Sequence, residues 1–250
     1  MSQPLLGIQL YSLRREFAAD AEGTLRQIRS LGFDHIELAG TYDWSADRWK
    51  ALLAETGLKV VGAHLGPKEL AENLPAQIAF QQAVGNHRYI LPYLPEEDRN
   101  LAGYRAAAAL LNRTADAVQS IGGKVYYHHH DFEFQPLEGG VTGLDILFQE
   151  TNPAKVSFEI DTYWVEKGGK NSYQFIADHA SRIGMIHAKE IRLSDKADVP
   201  AGKGDVNFAS ILSLAKAGAW PVVVEFEGEP AIPAVRESAG YLKGLIDRIQ

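Results

Sequence analysis

Short apolar or β-branched runs alternate along this chain with longer amphipathic stretches. The short runs read as strands: Leu5–Leu10, Asp34–Leu38, Leu58–His64, Arg88–Leu91, Lys124–His130, Val156–Asp161, Gly184–Ala188 and Pro221–Phe226. They recur about every thirty residues, the length of one strand–helix unit. Between them lie helical signals. Thr24–Arg29 precedes Gly32, Ala46–Thr56 closes at Gly57, Tyr104–Ile121 at Gly122-Gly123, and Phe208–Ala217 at Gly218. Glycine supplies the left-handed backbone that ends a helix and turns the chain back into a sheet. An open doubly wound sheet would show the same alternation. However, no Gly-x-Gly-x-x-Gly follows the first strand, and eight units suit closure. The pattern predicts an α/β fold, a (β/α)8 barrel formed as one domain over residues 1–250. The Gly-, Pro- and charge-rich stretch Asp195–Asp205 is expected to be a loop over the barrel mouth.

Composition narrows the partners. The hydrophobic fraction of 46% is that of a chain that buries a full core. A net charge of −7 with no basic block argues against nucleic acid and against large polyanions, although backbone N–H groups can still hold a single phosphate. There is no cysteine, so a metal has only His, Asp and Glu to bind it. No apolar run reaches the roughly 18 residues that span a bilayer, and Met1–Leu6 lacks the basic start and apolar stretch of a signal peptide. A cytoplasmic protein with no membrane partner is expected. The outer helix faces show no decisive apolar stripe, which leaves a homo-oligomer open.

In a parallel barrel the C-terminal strand ends converge, however far apart they lie in sequence. Here those ends are polar: Tyr127-His128-His129-His130 on the fifth strand, Glu159-Ile160-Asp161 on the sixth, His187-Ala188-Lys189 on the seventh and Glu225-Phe226-Glu227 on the eighth. Alternation puts His128 and His130 on one face with His129 opposite, and Glu159 one layer below Asp161. Two imidazoles and two carboxylates suit one divalent cation such as Mn, Mg, Zn, Co or Fe(II), with positions left for substrate oxygens. A lone histidine at a strand end is usually a packed residue, and a lone aspartate a helix cap. Four such residues on neighbouring strands shift the balance toward a site. His129 is assigned to packing behind the site, and His35, His87 and His179 to no catalytic role.

The motifs Tyr127-His-x-His-Asp-Phe-Glu-Phe134, Asp161-Thr-Tyr-Trp164 and His187-Ala-Lys-Glu190 resemble those of the sugar phosphate isomerase/epimerase family with the xylose-isomerase-like barrel. Gly7–Arg14, Gly32–Leu38, Gly202–Val206 and Val224–Phe226 extend the likeness over nearly the whole chain. The resemblance implies a metal held by Asp161, His187 and Glu225. The first ligand, usually glutamate, is replaced by His128, with His130 as the alternative. It also implies a small sugar or keto-sugar substrate and proton abstraction next to a carbonyl. Glu225, or Glu159 if its carboxylate reaches upward, would be the base, and Lys189 would stabilise the oxyanion or protonate a leaving oxygen. Tyr11, Glu37, His64, Glu133, Trp164 and Arg192 are candidate substrate contacts. Isomerisation or epimerisation and elimination share an enediolate, so a dehydratase or lyase remains open. So does a non-catalytic sugar-binding relative, because the missing glutamate removes one of two symmetrical bases. A hydrolytic metalloenzyme acting on abasic DNA is disfavoured by the charge and the number of histidines.

Overall fold

The computed structural model describes residues 3–249; Met1, Ser2 and Gln250, including the start of the segment examined for a signal peptide, lie outside the described residues. Eight parallel strands close into a barrel. They are β1 (Leu6–Gln9), β2 (His35–Ala39), β3 (Lys59–His64), β4 (Arg88–Leu91), β5 (Lys124–His128), β6 (Val156–Asp161), β7 (Ile183–Ala188) and β10 (Val222–Val224). Around the barrel the order is β1-β10-β7-β6-β5-β4-β3-β2. Each strand is followed by a helix on the outside: Ala21–Ser30, Ala46–Thr56, Leu74–Ala83, Leu101–Val118, Gly143–Glu150, Ser172–Asp178, Phe208–Gly218 and Ala231–Ile246. Side chains start many of these helices as expected of N-caps. Asp20, Ser45, Asn100, Thr142, Asn171 and Asn207 each accept a hydrogen bond from a first-turn N–H.

Strand alternation sorts the side chains into two cores. Outward residues such as Ile36, Leu38, Leu91, Phe158 and Ile160 pack against the helices in one large apolar layer. Inside the barrel, Val61, Ile90, Tyr126, Met185 and Val223 form a separate apolar plug. Tyr126, Met185 and Val223 stand two residues before His128, His187 and Glu225, so the polar side chains rest directly on this plug. Among the described residues, no helix is long and apolar enough to cross a membrane.

Most strand bounds shift by a residue or two from the sequence expectation, and three differences have a clear local cause. β5 ends at His128 and not at His130, because Asp131 to Phe134 curls into a 3-10 turn. The loop expected over Asp195–Asp205 contains a strand. β8 (Glu190–Arg192) and β9 (Ala197–Val199) pair antiparallel beyond the end of β7. The third difference is the helix stop. Phe208–Gly218 includes Gly218, and the left-handed residue is Ala219, with φ 54°. Gly218 is needed for space, since a Cβ there would lie 2.2 Å from the Trp220 ring.

A methyl-bearing residue in the left-handed region costs roughly 1–2 kcal/mol, and glycine recovers part of this against its greater freedom when unfolded. Ala219→Gly is therefore expected to stabilise the protein by about 0.5–1 kcal/mol in urea unfolding. An unchanged or lower midpoint would refute the assignment of strain to this residue.

Candidate metal centre

At the mouth of the barrel, β5, β6, β7 and the end of β10 bring His128, Asp161, His187 and Glu225 together. One ligand atom from each lies within 4.8 Å of the others, and all four residues are buried. These are the four residues singled out from the strand ends, with His128 in the cluster and His130 outside it.

Two carboxylates beneath this group aim its imidazoles. Glu159 Oε2 lies 3.1 Å from His128 Nδ1, 2.9 Å from His64 Nε2 and 3.2 Å from His187 Nε2. Glu37 Oε2 accepts from Gln9 Nε2 and His187 Nε2, both at 2.7 Å, and lies 3.1 Å from His64 Nε2. Gly62 leaves room for Glu37, since a Cβ there would lie 2.6 Å from Oε1. A carboxylate below each ring binds the lower N–H and turns the other nitrogen upward as a donor, the usual backing of a metal-bound histidine. His64, His128, Glu159 and His187 also lie within 4.8 Å of one another. In that lower group, however, the facing oxygen, Glu159 Oε2, is already engaged by all three imidazoles, whereas in the upper group Asp161 Oδ2 has no partner.

Charge follows from burial and pairing. Burial opposes ionisation of Glu37, but His64 and His187 outweigh it and hold its carboxyl below the usual range. Burial would neutralise His64, but Glu37 and Glu159 push it up to about 9. His187 is likewise raised, with burial again outweighed by Glu159 and Glu37. His128 is held neutral by burial and by the neighbouring imidazoles.

The donor set fits a cation on one observation in particular. Asp161 Oδ1 caps the next turn by accepting the Trp164 N–H at 3.0 Å, while Oδ2 is buried with no hydrogen-bond partner. Burial and the nearby Glu225 carboxylate push the Asp161 carboxyl up to about 8 against the pull of Lys189. An unpartnered buried carboxylate oxygen is costly, and a cation relieves that cost. His187 Nδ1 lies 2.6 Å from Glu225 Oε2 and 3.8 Å from Asp161 Oδ2, so its proton stands where an ion would.

Lys189 is buried beside this group. Its Nζ pairs with Glu227, lies 3.7 Å from Glu225 Oε1 and sits 4.6 Å from the Trp164 ring centroid. Burial disfavours its charge, but Glu225, Asp161 and Glu227 outweigh burial and hold it as an ammonium. The same ammonium, with His187, keeps Glu225 ionised in spite of burial.

Above the cluster opens a cavity of about 530 Å³, walled in part by Tyr11, His64, His128, His130, Trp164 and Glu225. Tyr11, His64 and Trp164 thus stand where substrate contacts were expected. Glu37, Glu133 and Arg192 do not line it. Glu37 is locked beneath the histidines. Glu133 is turned inward, accepting from the Tyr127 hydroxyl and the His130 N–H. Arg192 points outward and pairs with Asp195. Glu159, expected as an alternative base, lies below the rings and outside the cavity wall. His129 backs the site as expected, accepting the Asp161 N–H at 3.3 Å. Gln9, Arg99, Phe132 and Glu227 line the cavity without having been singled out. A glutamine in an otherwise apolar first strand, and the alternation of Glu227 with Glu225, were the available signals.

Comparison with known proteins agrees with the barrel architecture. The family described as xylose isomerase-like TIM barrel matches residues 25–245. An inosose dehydratase of Geobacillus thermodenitrificans (strain NG80-2) is 32% identical over 136 residues, covering 52% of this chain and 42% of that protein. The chain therefore matches less than half the length of this curated relative. The structure of a sugar phosphate isomerase/epimerase from Parabacteroides distasonis ATCC 8503 superposes with a TM-score of 0.82 at 23% identity, over 97% of this chain and 98% of that one. An L-ribulose 3-epimerase gives 0.72 at 16% identity, over 99% and 95%. Likeness at these identities is one of fold.

Two outcomes are expected here. Glu159→Gln replaces an acceptor with a donor beneath His128 and should weaken Mn2+ binding by calorimetry about 10- to 100-fold with the fold retained. Wild-type affinity in that variant would show that the carboxylate does not aim the ring. The second concerns Glu133, whose carboxyl burial lifts from 4.5 to about 7. A raised carboxyl favours the folded state when protonated. This contribution is full below about pH 4.5 and is lost as pH rises through about 7, on the order of 3 kcal/mol. Glu133→Gln should flatten the fall in unfolding free energy between about pH 5 and pH 8; parallel curves would rule this out.

Proposed function

Starting from a chain that belongs to the xylose isomerase-like TIM barrel family, we propose a divalent-metal-dependent isomerase or epimerase of a small sugar or keto-sugar. The observation that carries this reading is the cluster of His128, Asp161, His187 and Glu225 under an open cavity, with Asp161 Oδ2 unpartnered. His128 through its upper nitrogen, Asp161 through Oδ2, His187 through Nδ1 and Glu225 would hold one ion of Mn, Mg, Zn or Co. When bound, the ion supplies Lewis acidity that polarises a carbonyl and an adjacent hydroxyl.

The remaining steps fall to the chain's own residues. Glu225 is an ionised carboxylate at the cavity wall and takes the proton next to the carbonyl. Lys189 is buried just behind the cavity wall, and from there its ammonium beside Glu225 and Glu227 would offer a positive charge or a proton to the oxygen that gains charge. Trp164 covers Lys189 and, with Tyr11, presents aromatic faces to the C–H side of a sugar. Glu159 and Glu37 act as positioning residues that fix the tautomers of His128 and His187.

The likeness to an inosose dehydratase supports a second outcome from the same site. The enediolate would then expel a hydroxyl protonated by Lys189, with loss of water in place of reprotonation at carbon. A small sugar-like molecule, and neither nucleic acid nor a membrane, is the partner in both readings; assembly into homo-oligomers is compatible with either.

Incubating the Mn2+-loaded protein with a panel of keto-sugars in D2O tests the reading. Deuterium is expected at the carbon next to the carbonyl, with rates about 10²- to 10⁴-fold lower in Glu225→Gln. A product of unchanged skeleton mass identifies isomerisation or epimerisation, and one lighter by a water identifies dehydration. Failure of the panel to exchange, together with no Mn2+ binding at the four residues, would reject the proposal.

A further inference from the structure

Arg99 lies in the loop between β4 and the Leu101–Val118 helix and forms part of the cavity wall. Its side chain is fixed in two ways. Nε donates to the Leu94 carbonyl at 3.0 Å, and the guanidinium carbon lies over the Phe132 ring, 3.6 Å from the centroid. A side chain anchored at Nε and stacked on one face has already lost most of its rotamer freedom, so its terminal amino groups are preorganised.

Those terminal groups make no hydrogen bond, and no carboxylate among the described residues lies within 4.0 Å of them. The Glu133 carboxyl is close enough to feel this charge, yet both its oxygens are taken by Tyr127 and His130. The guanidinium is therefore a positive fork without an internal partner, in a cavity whose other charged walls include Glu69, Glu225 and Glu227. Glu69 in turn is occupied by the Gly66 N–H and Gln77.

Topology gives the fork a direction. β4 and β10 are four places apart in a ring of eight strands, directly across the barrel. Arg99 thus faces the mouth from the side opposite Glu225 and Glu227. Glu225 and Glu227 thus stand at one side of the cavity and the stacked guanidinium at the other, with His128, His64 and Glu69 on strands or loops beside it. A neutral sugar would leave this fork to water. A planar or tetrahedral oxyanion takes it with paired charge-assisted hydrogen bonds.

We propose that Arg99 receives an anionic end group of the substrate, a carboxylate or a phosphate monoester, so that the substrate is a sugar acid or a sugar phosphate and not a neutral sugar. This deepens the function proposed above and rests on the same cavity. It also fits the chain's acidic balance, because one fixed guanidinium reads a single anionic group without a basic surface that would gather polyanions.

The test uses the full-length, Mn2+-loaded protein and matched sets of probes, each a monosaccharide with its aldonate and its terminal phosphate. Binding is followed by calorimetry and by the shift in thermal midpoint. At least one charged member is expected to bind about tenfold or more tightly than its neutral partner. Arg99→Met, which keeps an apolar stem over Phe132, is expected to remove that excess while leaving Mn2+ affinity unchanged; it loses the hydrogen bond to Leu94, so each probe shift is read against the variant's own, lower unliganded midpoint. Arg99→Lys should recover only part of it, because an ammonium lacks the planar fork. A preference for the aldonate identifies a carboxylate substrate, and a preference for the phosphate a phosphorylated one. The proposal is overturned if no charged member outbinds its neutral partner, or if Arg99→Met keeps the excess through direct contact of the anion with the ion. Normal Mn2+ binding together with either result would sink the anion assignment alone and leave the metal-dependent function standing.

Discussion

Two carboxylates inside the barrel, Glu37 and Glu159, are the constraint on which the site depends. They come from strands on different sides of the ring and meet His64 and His187 between them. Buried ions separate at a cost of several kcal/mol each, so such a group persists only if every charge has a partner. The ionised Glu37 is matched by His64 and His187, while His128 stays neutral above Glu159. The apolar plug of Val61, Ile90, Tyr126, Met185 and Val223 lies beneath and closes the interior. With the lower nitrogens thus engaged, His128 and His187 present their other nitrogens to the mouth.

This arrangement divides the barrel into three levels with different duties. The plug gives stability, the paired acid–imidazole layer gives orientation, and the uppermost ring of Asp161, Glu225, Lys189 and Trp164 meets the cavity or lies directly behind its wall. The reaction proposed above would belong to the top level, where Asp161 keeps an unpartnered oxygen and Glu225 and Trp164 face the cavity. The hairpin of β8 and β9 ties this level down from outside. Asp198 accepts the Glu227 N–H, and the Glu190 carboxylate gathers the N–H groups of Ile191, Gly202 and Val206. The long connection after β7 is therefore held by an internal anion and is ordered without regular structure over most of its length.

Most of the fold was legible because strand and helix periods differ and the chain repeats the alternation eight times. The four clustered residues were legible for a related reason. A polar side chain at the end of an otherwise apolar strand has few places to go except the mouth. What escaped was set by depth and by loops. Glu159 follows the same alternation as Asp161, but one layer lower it meets imidazoles and not the cavity. Glu133 sits in a polar, aromatic run, and only the turn after His128 reveals that it folds under Tyr127. Arg99 was hidden in Glu96-Glu97-Asp98-Arg99, a charged run that reads as solvated surface. Its role in the cavity wall depends on stacking against Phe132, thirty-three positions further along the chain. The helix end at Ala219 was misplaced because Gly218 carries the usual stop residue for a different reason, the proximity of Trp220.

Asp161 serves two structures with its two oxygens, one starting a helical turn and the other facing the cluster. The side chain therefore has almost no tolerance for exchange. Asparagine could still start the turn but would bring no negative charge to the cluster. Glutamate would keep the charge on a longer arm, and that arm no longer spans from strand end to first-turn N–H. Serine could start the turn and nothing more. Local folding and chemistry meet in a single short acid, so this position has one solution where its neighbours have several.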